Sequence, residues 1–501
     1  MTRINTNVQS MLAQRVLGQN NSQLNQSLER LSTGLKINRG ADNPAGLIAS
    51  ENLRSEKAAI EAAIGNAERA DQVVNIAEGG LQEVNSMLLE LQSLVGQSAN
   101  EAGLSDDEKA ANQQQIDSII QTIDRIAATT SFQGSKLLNG NFDFTVSGQS
   151  GNVSDFQINA AKLEFGDQRD VEMLITQSAQ QAGMFLSLGA TTLDLSASDA
   201  RMTFEVAGAL GAREFTFASG TALTSMADQI NTFTSVTGVS ASVDTTGIFL
   251  HSTQTGSDEF VAVDVVDDAG QAGSVYALSA QNALAVDSSN TLAATYAGIT
   301  NPVRDSGEDV GAIINGIAAT SDGNTARINT DFLDVEITLD STGAQTLQSL
   351  DAFTITGGGA KFNLGPNVDI SNQVSVGIGN IAARNLGSVG NGFLDELGSS
   401  RAANVEDGDL GKAQKIVNDS INQVSSLRGR LGAFQKNVIG STIRSLGVAL
   451  ENTSAAESSI RDTDFAEETA ELTRSQILAQ SAQQALSLAN SQPQQVLQLL
   501  G

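Results

Sequence analysis

The chain has 501 residues, a formal net charge of −29, one His, no Cys or Trp, and 4% aromatic residues. That composition excludes a disulfide framework or thiolate metal site and argues against one large globular core, leaving several domains or an elongated body. The acidic balance disfavours nucleic acid or an anionic membrane as the main partner.

The N-terminus, MTRINTNVQSMLAQRVL, has no apolar run of the kind a secretory signal carries. No stretch of about 18 apolar residues exists to span a bilayer. Residues 5–34 read as a helix. Leu17, Leu24 and Leu31 are seven apart, as are Leu28 and Leu35, and Gly34 is a C-terminal stop. The cluster GADNPAG at 40–46 is a turn, with Pro44 ending any helix before it. A long helix is then expected from about 56 to 99. Its seam of Ala63, Ala67, Ala70, Val74, Ala77, Leu81, Val84, Leu88, Leu91 and Val95 alternates four and three. Such a coiled-coil stripe, about 50 Å long, needs a partner of similar length. Ser105 and Glu108 form a capping box for a shorter helix carrying Ile116, Ile119, Ile123 and Ile126.

After Thr129 the pattern turns to short alternating segments at 142–146, 156–159, 171–175, 203–207, 214–217, 239–243, 248–251 and 260–265, with a short helix at 224–233. Between 190 and 380 the basic residues are Arg201, Arg213, Arg304, Arg327 and Lys361. This is an acidic, Gly- and Thr-rich β region of one or two domains. A faint echo links Phe165-Gly166 with Leu364-Gly365. Helix returns near 400. Leu410, Ala413, Val417, Ser420, Val424, Leu427, Leu431, Phe434 and Val438 form a second seam, about 42 Å long, after which Ile439, Ile443, Leu446 and Leu450 shift the stripe by one position. Asp464 and Glu467 cap a last helix with Phe465, Leu472, Ala479 and Leu486 seven apart, and Pro493 is expected to end or kink it.

These elements define an elongated α+β fold. Long N- and C-terminal helices pair as a coiled-coil bundle, 63–95 against 410–438, and a mostly β insertion is exposed between them. The outermost helices have no evident body to bury their apolar stripes, which points to self-association. A head-to-tail contact that does not close builds a filament. No enzyme is expected. His251 reads as a strand residue, since a lone His makes neither a triad nor a multi-His metal site. There is no HExxH, and Gly357–Gly359 lacks the Lys-Ser/Thr of a phosphate loop. No cofactor is expected. Asp106-Asp107 and Asp267-Asp268 read as solvated acidic pairs.

The segment LSTGLKINRGADNPAGLIASENLRS (31–55) resembles bacterial flagellin, as do 78–100, TSFQGSKLLNG (130–140), 452–480 and ANSQPQQVLQLL (489–500). The middle, 213–267, is similar to the flagellin hook insertion motif. The resemblance implies a subunit that is exported largely unfolded without a cleavable signal and polymerises into the extracellular flagellar filament for motility. It implies an export chaperone and a filament cap as partners besides other copies of the chain. Residues 1–40 and 460–501 would form the inner filament core, polymerising through Leu17, Leu24, Leu28, Leu31, Leu35, Phe465, Leu472, Ala479 and Leu486. Residues 41–180 and 385–459 would form the helical coiled-coil domain with short β-hairpins. Its intrachain seam would be Ala67, Val74, Leu81, Val84, Leu88, Leu91 and Val95 with Val417, Val424, Leu427, Leu431, Phe434 and Val438. Residues 181–384 would be the variable surface region. Leu89, Glu90 and Leu94 lie in a segment that in many flagellins contacts neighbouring subunits and an innate immune receptor. Glu90 stands where a basic residue is usual, which speaks against receptor recognition. The alternatives are a hook–filament junction protein, whose ends are similar, or a flagellin scaffold carrying an adhesive surface domain.

Overall fold

The computed structural model describes residues 6–100, 103–164, 166–195, 199–244, 246–277 and 292–500. Phe165, one half of the faint sequence echo, lies outside them. The helices used below are α1 (Val8–Thr33), α2 (Pro44–Ser98), α3 (Asp106–Thr129), α4 (Leu223–Thr232), α5 (Leu410–Ala433), α6 (Gly440–Arg461) and α7 (Phe465–Leu500). The chain divides into two units. One comprises 1–72, 362–372 and 432–501, and the other 73–361 and 373–431. Among the described residues no helix is long and apolar enough to cross a membrane.

In the first unit, α1 stops at Gly34, whose φ of +74° is the left-handed conformation that glycine adopts at low cost. α2 starts at Pro44, about twelve residues before the sequence-based boundary near 56. Proline lacks only an N–H that the first helical turn would leave unpaired, and its fixed φ suits that position. The Asn43 side chain accepts from Gly46 N at 2.9 Å and completes the start. Pro44 therefore opens a helix as well as closing the turn before it. At the other end of the chain α7 continues through Pro493 to Leu500, so this proline does not end the helix. The side chains of 493–500, including the apolar tail, lie outside the described residues.

The helical part of the second unit is built from the rest of α2 with α3 and α5. Ser105 and Glu108 close their capping box reciprocally, with Glu108 N donating to Ser105 Oγ at 3.3 Å and Ser105 N to Glu108 Oε2 at 2.8 Å. On α2, Val74, Ala77, Leu81, Val84, Leu88, Leu91 and Val95 are all buried. On α5, Ala413, Val417, Ser420, Val424, Leu427 and Leu431 are buried, with Ile416 beside them. Gln92 Nε2 donates to Asn418 Oδ1 at 2.9 Å, and Arg428 Nε to Glu78 Oε1 at 2.8 Å. The order of these two links makes the helices antiparallel. A hairpin of Ser131–Phe132 and Ser135–Lys136 follows α3, turning through Gln133 and Gly134 at positive φ. It leads to Leu138, which presses on α2 at Gly80. A Cβ on Gly80 would lie 2.7 Å from Leu138 Cδ1, so a larger residue here would push this side chain aside.

Between α5 and α6, at Phe434–Ile439, the helix widens into one π-type turn without leaving the helical backbone region. A π turn inserts one extra residue per turn and rotates everything after it. The buried stripe therefore passes from Phe434 to Ile439, and Val438, assigned to the seam from spacing alone, is only half-buried. The one-position slip in the sequence pattern is this insertion.

The β region forms two antiparallel bodies, each a pair of packed sheets. In the first body Arg169–Gln177 lies between Gly311–Ile314 and Ser349–Gly358, with Phe144–Ser147 at one edge. The other sheet pairs Val153–Ala161 with Leu333–Leu339 and that strand with Thr325–Asn329. Val171, Met173, Ile175, Ile158, Val335, Ile337 and Phe353 fill the space between. The second body runs over 183–306. Gly183–Ser187 is central in one sheet, Arg201–Gly208 pairs with Gly211–Ala218 in the other, and α4 packs its Met226 and Ile230 into their common core. Strands within 144–177 thus belong to the first β body and not to the helical domain, and the β region begins near 144, well before 181. Their partners lie more than 130 residues downstream, which local alternation cannot reveal.

Seam and surface positions on α2 give a direct test. Replacing fully buried Leu88 with Ala is expected to cost about 2–5 kcal/mol in unfolding free energy. Replacing its neighbour Leu89, which is 50% exposed, should cost less than about 0.5 kcal/mol. Denaturant melts of the two variants check the difference, and equal losses would contradict the pairing of α2 with α5.

Candidate assembly surface

The terminal helices α1 and α7 lie antiparallel in the first unit and pack along their length. Asn7 Nδ2 donates to Ala489 O at 2.8 Å and Ser10 Oγ to Asn490 Oδ1 at 2.6 Å at one end. At the other, Arg30 pairs with Glu468 at 3.5 Å, Lys36 N donates to Arg461 O at 2.7 Å, and Thr463 N to Gly34 O at 2.9 Å. Their contact stripe is Leu17, Asn20, Leu24, Ser27 and Leu31 against Glu468, Leu472, Ser475, Ala479, Ala482, Leu486 and Ala489, alternating three and four throughout.

The deepest of these positions are polar or small. Asn20, Ser27, Glu468, Ser475, Ala479, Ala482 and Ala489 are buried, whereas Leu17, Leu24, Leu31, Leu472 and Leu486 are only half-buried. Small side chains let the backbones approach but remove little apolar area from water. Ser475 Oγ, Glu468 Oε1 and Arg30 Nε are buried without a hydrogen-bond partner among the described residues, a further cost to the pair. Other large apolar side chains face away from this contact. Val8 is 67% exposed and Leu488 62%, and Met11, Leu12, Val16, Ile477 and Leu478 are exposed with them.

Two positions assigned to a common polymerisation stripe separate from the helix–helix contact. Leu28 is 47% exposed and Phe465 58%. Both fall off the arc that α1 and α7 present to each other and join the outer surface, while Leu35 is half-buried in an isolated antiparallel bridge to Asp462. The expectation that these helices have no body to bury them is corrected in part, since each covers one face of the other. Asn20, Ser27 and Ser475 were missed because they are polar. The 3–4 spacing exposes them once small residues are counted with apolar ones.

On α2, Leu89 and Glu90 point to solvent. Leu94 does not, and its assignment to an outward contact segment is corrected. α3 lies beside this end of α2, tied by Asn112 Nδ2 to Ser98 Oγ at 3.1 Å. Leu94 is buried at this end of α2.

Elsewhere the chemistry is sparse. His251 sits in the strand Gly247–Ser252, stacked on Phe249 with ring centroids 5.8 Å apart. Neither ring nitrogen has a partner among the described residues, and burial lowers its pKa, so the ring is neutral. An open cleft of about 660 Å³ in the second unit is lined by Asp143, Asp155, Glu336 and Arg430. Burial raises the pKa of both Asp143 and Asp155. Among the described residues no group of three or more His, Asp or Glu is placed to hold a metal ion.

A helical pair whose deepest contacts are small or polar, with large apolar side chains exposed on its outside, is the pattern of a self-assembling structural subunit. Residues 4–143 match the bacterial flagellin N-terminal helical region, 414–500 the C-terminal helical region, and 202–254 the flagellin hook IN motif. Flagellin B of Helicobacter pylori and the B-type flagellin of Pseudomonas aeruginosa are each 28% identical to this chain, covering 99% of it and 99% of their own length. Flagellin B of Vibrio cholerae is 29% identical with the same coverage. The chain belongs to the bacterial flagellins. Among solved structures, a flagellar hook associated protein-3 from Legionella pneumophila is similar over 81% of this chain and 97% of its own, at 13% identity and a TM-score of 0.28. Overlap that loose carries no part of the argument.

The turn between α1 and α2 titrates. Backbone N–H donation from Arg39 is the chief cause holding Asp42 below the usual carboxylate range; burial opposes it, and donation from Asn38 adds to it. A lowered folded-state pKa means that the ionised carboxylate stabilises the turn above its unfolded pKa, and that this contribution is lost as pH falls through the folded value. Asp42→Asn should speed amide exchange at Asn38 and Arg39 at neutral pH, whereas wild type should do so only in acid. Equal exchange in both proteins at neutral pH would contradict the assignment.

Proposed function

We propose that this flagellin polymerises by burying the outward apolar faces of α1 and α7 against other copies of itself, with the β bodies left facing solvent. The chain is a structural subunit of the flagellar filament, and the family is a structural one. The observation that carries the assembly reading is the inversion of the terminal pair. Val8, Met11, Leu12, Ile477 and Leu488 are exposed, while Asn20, Ser27 and Ser475 are inside. Each large apolar side chain removed from water in an assembly contributes about 1.5–3 kcal/mol, and a contact of this kind repeated head to tail gives an open helical polymer.

The same inversion fits export in a largely unfolded state. A helix pair whose own seam is small and polar gains little from folding alone, so its folding is coupled to assembly. The family resemblance adds an export chaperone for the terminal segments, a filament cap, and an extracellular destination. On α2, Leu89 serves as a contact to the neighbouring subunit, and the charge of Glu90 disfavours recognition by an innate immune receptor.

Ile477→Asp and Leu488→Asp should leave the monomer's unfolding free energy within about 0.5 kcal/mol of wild type, yet abolish filaments seen by electron microscopy and sedimentation. Normal filaments from either variant would refute the proposed surface. Truncation after Phe465 should leave a soluble monomer that no longer polymerises at any concentration at which the full chain does. Filaments from the truncated chain would remove α7 from the assembly.

A further inference from the structure

The two β bodies are joined by only two passes of the chain, 178–182 and 307–310, which by itself predicts a loose joint. The contacts there are not loose. Gln180 N donates to Glu308 O at 2.8 Å and Glu308 N to Gln180 O at 3.0 Å, so the two passes pair with each other. The loop after the strand Gly247–Ser252, in the second body, comes down onto them, with Gly256 N donating to Gln180 O at 3.2 Å. From the first body the turn at Gly323 approaches from the other side, accepting from Val310 N at 2.9 Å.

Asp309 stands where these segments meet. Its Oδ1 accepts from Ser257 N at 2.9 Å and from Gly323 N at 2.8 Å, and its Oδ2 from Ser257 Oγ at 2.7 Å. One carboxylate thus binds donors of both bodies. Beside it Thr255 Oγ1 donates to Asn324 Oδ1 at 2.6 Å, a second side-chain link between the bodies. The approach is close enough to require glycine. A Cβ on Gly256, at φ +130°, would lie 3.0 Å from both Asp309 Oδ1 and Gly323 Cα, and one on Gly307 would lie 2.5 Å from Gln180 O and Gly256 O.

We infer that Asp309 is a latch that locks the second β body onto the first and so mounts it rigidly on the subunit. A hydrogen bond to an ionised acceptor is about twice as strong as a neutral one, and three converging donors fix direction as well as distance. Burial opposes ionisation of Asp309, but donation from Ser257 and Gly323 outweighs it and holds the pKa below the usual carboxylate range. The latch is therefore charged at neutral pH. It stands independently of the assembly reading, because neither body includes the terminal helices. Its consequence is that the display surface keeps one orientation and does not swivel on its two-strand stalk.

The absence of cysteine makes the test clean. Cysteines at Glu172 in the first body and Glu214 in the second, both exposed, carry spin labels on the full-length chain. Pulsed electron paramagnetic resonance should give one narrow distance peak. Asp309→Ala should lose that peak to a broad distribution, with faster amide exchange at Ser257 and Gly323. A broad wild-type distribution, or a peak that stays narrow in Asp309→Ala, overturns the latch. If Asp309→Ala does not fold, Ser257→Ala decides. It removes one donor from outside the carboxylate, and broadening supports the latch while an unchanged peak overturns it.

Discussion

The antiparallel pairing of α2 with α5 is the interaction on which the remaining architecture of the second unit depends. The two helices lie more than 300 residues apart in sequence, and the positions of their seam from Val74 to Val95 and from Ala413 to Leu431 are buried. Everything from α3 to the loop before α5 is an insertion closed by that seam. Loop-closure entropy grows only logarithmically with length, by about 0.6 kcal/mol per doubling. An insertion of two β bodies therefore costs the helical part little more than a short one would. Each body has its own core and adds its own stability. This is why a helical scaffold can carry a large insertion without losing its own register.

The chain builds two seams from one heptad grammar and gives them opposite content. In α2 and α5 the inward positions are Leu, Val, Ile and Ala with Ser420 among them, and polar links such as Gln92–Asn418 lie at the flank. In α1 and α7 the fully buried positions are Asn, Ser, Ala and Glu, the leucines of the seam are only half-buried, and further Leu, Met, Val and Ile side chains look outward. The first arrangement holds a monomer together. The second leaves large apolar side chains of the terminal pair exposed, the surface proposed for assembly. Stability and assembly are thus assigned to different segments, and a substitution that disables one can spare the other.

Much of this was legible because a helix that must match one long partner writes its partner's geometry into its spacing. The ten positions from Ala63 to Val95 and the run from Leu410 to Phe434 follow from periodicity. The departures have particular physical causes. Pro44 was read as a stop, but proline is tolerated at a first helical turn, so the same residue also marks a start. Leu94 was placed outside because a two-helix seam has a narrow arc, yet it is buried. Val438 yielded its place to Ile439 because a π turn adds a residue that no fixed repeat anticipates. The strands between 144 and 177 were placed with the helices because their sheet partners lie far downstream. In the assembly surface, apolar stripes drew attention to Leu28 and Phe465, whereas the helix–helix contact is written in Asn20, Ser27 and Ser475, residues that a search for hydrophobic periodicity passes over.

The central claim is that α1 and α7 form a pair too weakly sealed to be stable until copies of the chain cover its apolar outside. Amide hydrogen exchange on monomer and on filament tests it most directly. Amides of α1 and α7 should exchange rapidly in the monomer while those of α2 and α5 are protected, and all four should be protected in the filament. Strong protection of α1 and α7 in the monomer, equal to that of α2 and α5, would contradict it.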